Sequence, residues 1–128
     1  MDGVLCVDPD PEENDDGPKY LNFIKTAAPL YIPSYKIRAI VTSRLVKYRA
    51  ATEAWLRENG GQYAALVMLD LPTAEERRSQ NCHATFKADA YKKRTETTLF
   101  VESEERQAKE IAFLTGKKVL CLATDELY

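Results

Sequence analysis

From residue 36 onward, short apolar runs rich in β-branched residues alternate with longer amphipathic stretches, the pattern of βαβ units on a parallel sheet. Residues 37–42 read as a buried strand, and residues 44–59 as a helix with Leu45, Tyr48, Thr52, Trp55 and Leu56 near one face. Gly60 and Gly61 end that helix, since glycine accepts the left-handed conformation past a helix terminus. Residues 63–69 predict a second strand, Thr73-Ala74-Glu75-Glu76 a capping-box start to a short polar helix, and residues 86–93 another helical segment. Residues 98–101 predict a third strand and residues 119–122 a fourth. Between them, residues 104–115 place Ala108, Ile111 and Ala112 on one helical face before Gly116 closes it.

The first 35 residues break this rhythm. Three prolines punctuate the acidic run from Asp8 to Pro18, which predicts a loop. Residues 19–28 then predict a short helix stopped before Pro29, with Pro33 turning the chain into the first clear strand. The expectation is one domain over residues 1–128, with a loop and small helical insertion at 8–35 and a βα core at 36–128.

Composition narrows the function classes. With 45% apolar and 30% charged residues, the 128-residue chain has the makings of a globular domain with a real core. A net charge of -2 gives no basic footprint for nucleic acid. No apolar run approaches the roughly 20 residues that span a bilayer, and the start lacks a signal-peptide pattern, so the expectation is a cytoplasmic protein without membrane or nucleic-acid partners. Cys6, Cys82 and Cys121 are odd in number and widely spaced, signalling neither a disulfide framework nor a thiolate zinc site. The single histidine, His83, cannot build a tetrahedral zinc shell with one adjacent cysteine and reads as a surface or loop residue. A calcium reading of the acidic run fails because an EF-hand loop needs glycine at its sixth position, where Glu13 stands if Asp8 is first.

In an open parallel sheet, ligands gather at the carboxyl ends of the strands. Here those ends are polar: Thr42 and Ser43, then Asp70, then Glu102 and Ser103, while Asp2 precedes a short apolar run at the chain start. Carboxylates and a hydroxyl on one edge suit a hard cation with a phosphate, because Mg²⁺ takes oxygen ligands and keeps open positions for substrate. Each residue also has a structural reading. Thr42 and Ser43 equally suit a helix cap, the carboxylates of Glu102, Glu104 and Glu105 suit a helix N-terminus, and Lys87 suits a solvated helix face. The residues alone leave both readings open.

Four stretches occur in order: Asp2-Gly3-Val4-Leu5-Cys6, Ile40-Val41-Thr42-Ser43-Arg44, Phe86-Lys87-Ala88 and Leu99-Phe100-Val101-Glu102-Ser103. Together they resemble the successive motifs of the haloacid dehalogenase-like (HAD) superfamily. The stretches DGVLCVDP, ENDDGPKYL, VTSRLVKYRAATEAWL and LFVESEERQA further resemble a HAD group found alone or fused to a phosphoribosyltransferase domain. The resemblance implies an α/β, three-layer Rossmann-like fold with a parallel sheet and a minimal cap. It also implies a Mg²⁺-dependent phosphomonoester hydrolase working through an aspartyl-phosphate on a phosphorylated small molecule. In that chemistry Asp2 matches the second aspartate of an Asp-x-Asp pair, the general acid and base. Thr42, with Ser43 and Arg44, would bind the phosphoryl group, Lys87 would neutralise charge near the nucleophile, and Asp2 and Glu102 would hold Mg²⁺, with Glu104 a further candidate.

The resemblance also implies what is missing. The nucleophilic aspartate should stand two residues before Asp2, where this sequence has only Met1 to offer as the middle residue of the pair. The strand ending in that aspartate is the central one of the HAD sheet, lying between the strands at 37–42 and 98–101. The expectation is therefore a chain inactive as it stands, completed by an upstream segment, an upstream phosphoribosyltransferase domain or a partner strand. The alternative is a non-catalytic HAD-like accessory or partner-binding module. Buried strand edges left unpaired cost about 1–3 kcal/mol per group, against the ~5–15 kcal/mol that holds a domain together, so an unstable or partner-dependent chain is expected.

Overall fold

The computed structural model describes residues 1–71, 73, 75–76 and 82–128. Helix α1 (Pro18–Thr26) follows the acidic loop, its first turn seeded by Pro18, whose missing N–H costs nothing at that position. Strand β1 (Ile40–Leu45) leads through a 3-10 turn (Val46–Tyr48) into α2 (Arg49–Glu58) and then β2 (Leu66–Leu69). Helix α3 (His83–Lys92), β3 (Leu99–Glu102), α4 (Glu105–Thr115), β4 (Lys118–Cys121) and β5 (Glu126–Leu127) complete the order. The fold is thus mixed α/β, as the alternating pattern implied. The short polar helix expected near Thr73 lies largely outside the described residues, although the Thr73 hydroxyl does accept the Glu76 N–H at 3.1 Å.

Several boundaries differ from expectation for local reasons. β1 runs on to Leu45 because its pairing with β2 slips between Thr42 and Leu45, and the irregularity carries Ser43 and Arg44 in extended backbone. The helix therefore starts five residues later than the apolar spacing suggested, and Ile37 keeps only an isolated bridge to Tyr63. β5 was not anticipated, since two residues carry no periodicity. It returns antiparallel to β4, so the strands are not all parallel.

The strands form two sheets. One is the parallel pair β1–β2, and the other has the order β3–β4–β5, with β3 and β4 parallel. The hydrophobic core is divided to match. Phe23 and Ile24 of α1, Trp55 and Leu56 of α2, and Ile40, Leu66 and Met68 of the first sheet form one cluster. Ala88 and Tyr91 of α3, Ala108 and Ile111 of α4, and Val119 and Cys121 of β4 form the other. Cys82 and Phe86, at the start of α3, pack against the first cluster.

Among the described residues, helices α3 and α4 cover one face of the second sheet. Val119 and Cys121 turn toward α3 and α4 with Phe100 beside them. The alternate residues Val101, Leu120 and Leu127 stand in register on the other face, with Leu99 two residues before Val101. Leu99, Val101 and Leu127 are 49%, 38% and 55% exposed.

The first cluster is tied by Trp55, which is buried and donates its indole N–H to the Ala27 carbonyl at 2.8 Å, fixing the end of α1 against α2. Trp55→Ala should lower stability by about 3–5 kcal/mol, measured as a shift in the denaturant midpoint.

Candidate active site

A cleft of about 370 Å³ opens where the carboxyl ends of β1 and β3 meet the first residues of the chain. It brings together Asp2, Thr42, Ser43, Arg44, Lys87 and Glu102, the six residues to which the motif resemblance gives a role, with Ser103 and Glu104 beside them. Asp70, which follows β2, does not line it. A roomier depression of about 620 Å³ lies beside Gly116, Lys117 and Lys118 before β4. Its Lys117 ammonium is already bound to the carbonyls of Tyr91 and Arg94 and to the Thr97 hydroxyl, so that lysine ties the loop together.

Met1 to Cys6 coil into a tight turn in which the Leu5 N–H reaches the Met1 carbonyl at 2.8 Å and the Gly3 N–H reaches the Cys6 carbonyl at 2.8 Å. Gly3 has a left-handed φ of 74°, and a β-carbon there would come within 2.4 Å of the Ser103 hydroxyl. Only glycine lets the turn lie this close to the end of β3. The Ser103 hydroxyl also reaches the Asp2 carbonyl at 3.5 Å.

Arg44 is buried, and its guanidinium turns away from the position expected of a phosphate ligand. It grips the Asp2 carboxylate through Nε at 3.2 and 3.4 Å and again through Nη2, while Nη1 donates to the Thr52 hydroxyl of α2 at 3.1 Å. With the side chain only 1% exposed, Arg44 in this structure positions Asp2 and does not line up as a free anion donor. The Tyr20 hydroxyl, at 3.4 Å, and the Cys6 thiol, at 3.3 Å, also donate to Asp2. Burial alone would raise the Asp2 carboxyl, but the charge and hydrogen bonds of Arg44 outweigh it and hold the group below the usual aspartate value. The same burial, reinforced by Asp2, pushes the Cys6 thiol up to about 12, far from a reactive thiolate.

A second ion pair lies across the cleft. Lys87 donates to Glu102 Oε2 at 2.6 Å and to Gln107 Oε1 at 2.8 Å, while Glu102 Oε1 accepts the Ser103 N–H at 2.9 Å. Burial opposes the Glu102 charge, yet Lys87 and the Ser103 amide together hold its carboxyl below the usual glutamate value. Lys87 is therefore no solvated helix lysine. Glu104 plays the other role open to it: its two oxygens accept the N–H groups of Arg106 and Gln107 at 2.8 and 2.9 Å and cap α4. Thr42 caps no helix. Its hydroxyl accepts the Arg44 N–H at 3.2 Å inside the slipped strand.

Sequence reasoning missed Gln107, which steadies Lys87, and it placed His83 in a loop. His83 opens α3 and lines the cleft one turn before Lys87. Their i, i+4 spacing was the available signal. The acidic run, expected only as a loop, contributes Asp8 and Asn14 to the rim. Among the described residues, no three His, Cys, Asp or Glu side chains are grouped to hold a metal ion, and no helix is long and apolar enough to cross a membrane. Comparison with family models, curated proteins and solved structures finds no match to this chain.

Two buried carboxyls, Asp2 and Glu102, have lowered pKa and contribute stability that depends on pH. Their stabilisation is fully present above the unfolded values near 4 and is lost as pH falls through the lower folded values of Asp2 and Glu102. Asp2→Asn would leave the buried Arg44 charge unpaired and should cost about 3–5 kcal/mol at neutral pH, with the deficit shrinking as the pH of the melt is lowered below 4.

Proposed function

We propose that this chain is the greater part of a Mg²⁺-dependent phosphomonoester hydrolase domain of the HAD kind, with Asp2, Thr42, Lys87 and Glu102 as its site. The observation that carries the reading is their convergence on one cleft from four separate segments, in the order and at the strand ends that the motif resemblance implies. The split sheet supports it further. β1 and β3 each keep an edge that pairs with no described strand, and both run in the direction that ends at the cleft. Asp2 touches both, through Arg44 of β1 and through Ser103 just after β3.

The chemistry follows from what each side chain already does. Asp2, held ionised by Arg44 and open to the cleft, would act as the base that takes a proton from water, and would protonate the leaving oxygen only after itself taking up a proton from solvent. Thr42 presents its hydroxyl to the transferring phosphoryl group, and Lys87 holds positive charge beside the position of the missing nucleophile. Glu102 and the Asp2 backbone carbonyl would hold Mg²⁺ with water completing its sphere, the ion taking a Glu102 oxygen from Lys87 or from the Ser103 N–H, while the Asp2 carboxylate stays with Arg44. Bound there, Mg²⁺ would supply Lewis-acid polarisation of the phosphoryl oxygens. Glu104 is left out of that set because it caps α4.

The test is a chain extended upstream by an apolar strand ending in aspartate at the Asp-x-Asp position. With Mg²⁺ it should hydrolyse p-nitrophenyl phosphate, and Lys87→Met should lower kcat by about 10²–10³-fold, the usual cost of removing one charge-stabilising group. An extended chain that binds no Mg²⁺ and turns over nothing on a broad phosphate panel would end this reading.

The apolar face of β3–β4–β5 favours a second reading, an accessory module that docks on a partner such as a phosphoribosyltransferase domain. Sedimentation of the inactive extended chain as a stable complex with that domain would select it.

A further inference from the structure

The cleft lies at the carboxyl ends of β1 and β3. The depression of about 620 Å³ lies at the opposite end of the second sheet, where Thr98 leads into β3 and Lys118 opens β4. Its floor is tied by Lys117, whose ammonium donates to the Tyr91 and Arg94 carbonyls and the Thr97 hydroxyl and lies 3.8 Å from the centre of the Tyr91 ring. The Tyr91 hydroxyl in turn donates to the Lys118 carbonyl at 2.9 Å. The turns before β3 and β4 are thereby locked to α3 and to each other.

Two helices end here, and the free carbonyls of a helix end repel anions. Those carbonyls are taken: Arg94 bonds that of Ala90, Lys117 those of Tyr91 and Arg94, the Thr115 hydroxyl that of Ile111 and the Gly116 N–H that of Ala112. The walls keep open donors. Among the described residues, the ammonium groups of Lys92 and Lys118 and the hydroxyls of Thr95 and Thr98 make no ion pair or side-chain hydrogen bond. No carboxylate side chain lines the depression. Residues 72, 74 and 77–81 contain no Asp or Glu, so every carboxylate side chain of the protein is among the described residues. Glu96, close in sequence, is paired with Arg38 at 2.8 Å. The terminal carboxyl of Tyr128 accepts the Val119 N–H at 2.9 Å, one residue past Lys118, and stands outside the lining. A lysine in the last turn of a helix is favoured by the helix dipole alone, which accounts for Lys92 but not for Lys118 at the start of a strand.

We infer that this depression is a binding site for a diphosphate group, separate from the cleft and independent of the phosphohydrolase reading. Two ammonium groups from different walls, α3 and β4, match two phosphoryl groups, and the Thr95 and Thr98 hydroxyls add neutral donors to their oxygens. The fixed floor keeps the ordering cost of binding low. At about 620 Å³ the depression has the size of small-molecule sites, roughly 300–1,000 Å³. No aromatic ring lines it to take a base, so recognition rests on the diphosphate itself, whether free or carried by a nucleoside.

The 128-residue chain tests it by titration with inorganic phosphate, pyrophosphate and adenosine diphosphate in metal-free buffer, with backbone amide NMR signals followed. Pyrophosphate should move the amides of Thr95, Thr98 and Lys118 and bind about fivefold more tightly than phosphate, the scale of one added near-contact charge pair in water. Adenosine diphosphate should move the same amides and bind as pyrophosphate does. Lys92, Lys93 and Lys118 are exposed, so substituting them leaves the core untouched. Lys92→Gln and Lys118→Gln should each weaken pyrophosphate binding about fivefold, whereas Lys93→Gln, next to Lys92 but off the lining, should leave it unchanged. Pyrophosphate shifts that are absent, or confined to Thr42, Ser43 and Lys87, overturn the site. An equal loss in all three variants overturns it as well, since a diffuse basic surface would then hold the ligand. Binding of adenosine diphosphate without binding of pyrophosphate overturns the assignment to the diphosphate group.

Discussion

The structure hangs on a charge that must not be left alone. Arg44 ends up buried because the slipped end of β1 turns it inward, and a buried guanidinium without a counter-charge costs several kcal/mol. Asp2 answers it, and the Thr52 hydroxyl takes the nitrogen that Asp2 does not reach. One side chain thereby fixes the first turn of the chain to β1 and to α2 together. Since the Asp2 backbone also lies against Ser103, the same contact brings the second sheet to the first. The position of the cleft is a consequence of this pairing.

The second pair, Lys87 with Glu102, repeats the arrangement on the other side. Each ion is also held by a neutral partner: Gln107 for the lysine, the Ser103 amide for the glutamate. Such cross-bracing keeps long side chains in one rotamer and leaves little to reorganise when charge changes nearby, the property that electrostatic catalysis requires. Both side-chain cations among the described residues of the cleft are thereby paired, Arg44 with Asp2 and Lys87 with Glu102.

Much of this was legible in the sequence, and for identifiable reasons. Helix α4 was read nearly to its ends because Ala108 and Ile111 repeat at helical spacing and Gly116 adopts the left-handed cap that its sequence position implied. The polar residues at the ends of β1 and β3 were also legible, since apolar runs ending in Thr42 and Glu102 can be recognised without a partner. What was not legible depended on groups distant in the chain. Whether Arg44 faces a ligand or the interior is decided by Asp2, 42 residues away. Whether Glu104 caps or ligates is decided by the exact first turn of α4, and the later start of α2 by a slip against β2. Periodicity reports which residues are apolar and cannot report such long-range choices.

The division of the core has a kinetic side. One cluster draws almost wholly on residues up to Leu71, the other on residues from Ala84 onward, so each half can gather its contacts without closing a loop that spans the chain. During synthesis most residues of the first cluster leave the ribosome before those of the second. Closure then requires Ser103 to settle against the turn at Gly3, beside the packing of α3 on β1. Because Gly3 carries no side chain, nothing at that point has to change rotamer for the late-arriving half to seat. The bare α-carbon that allows the close approach in the finished site also leaves no side chain to clear when the two halves meet.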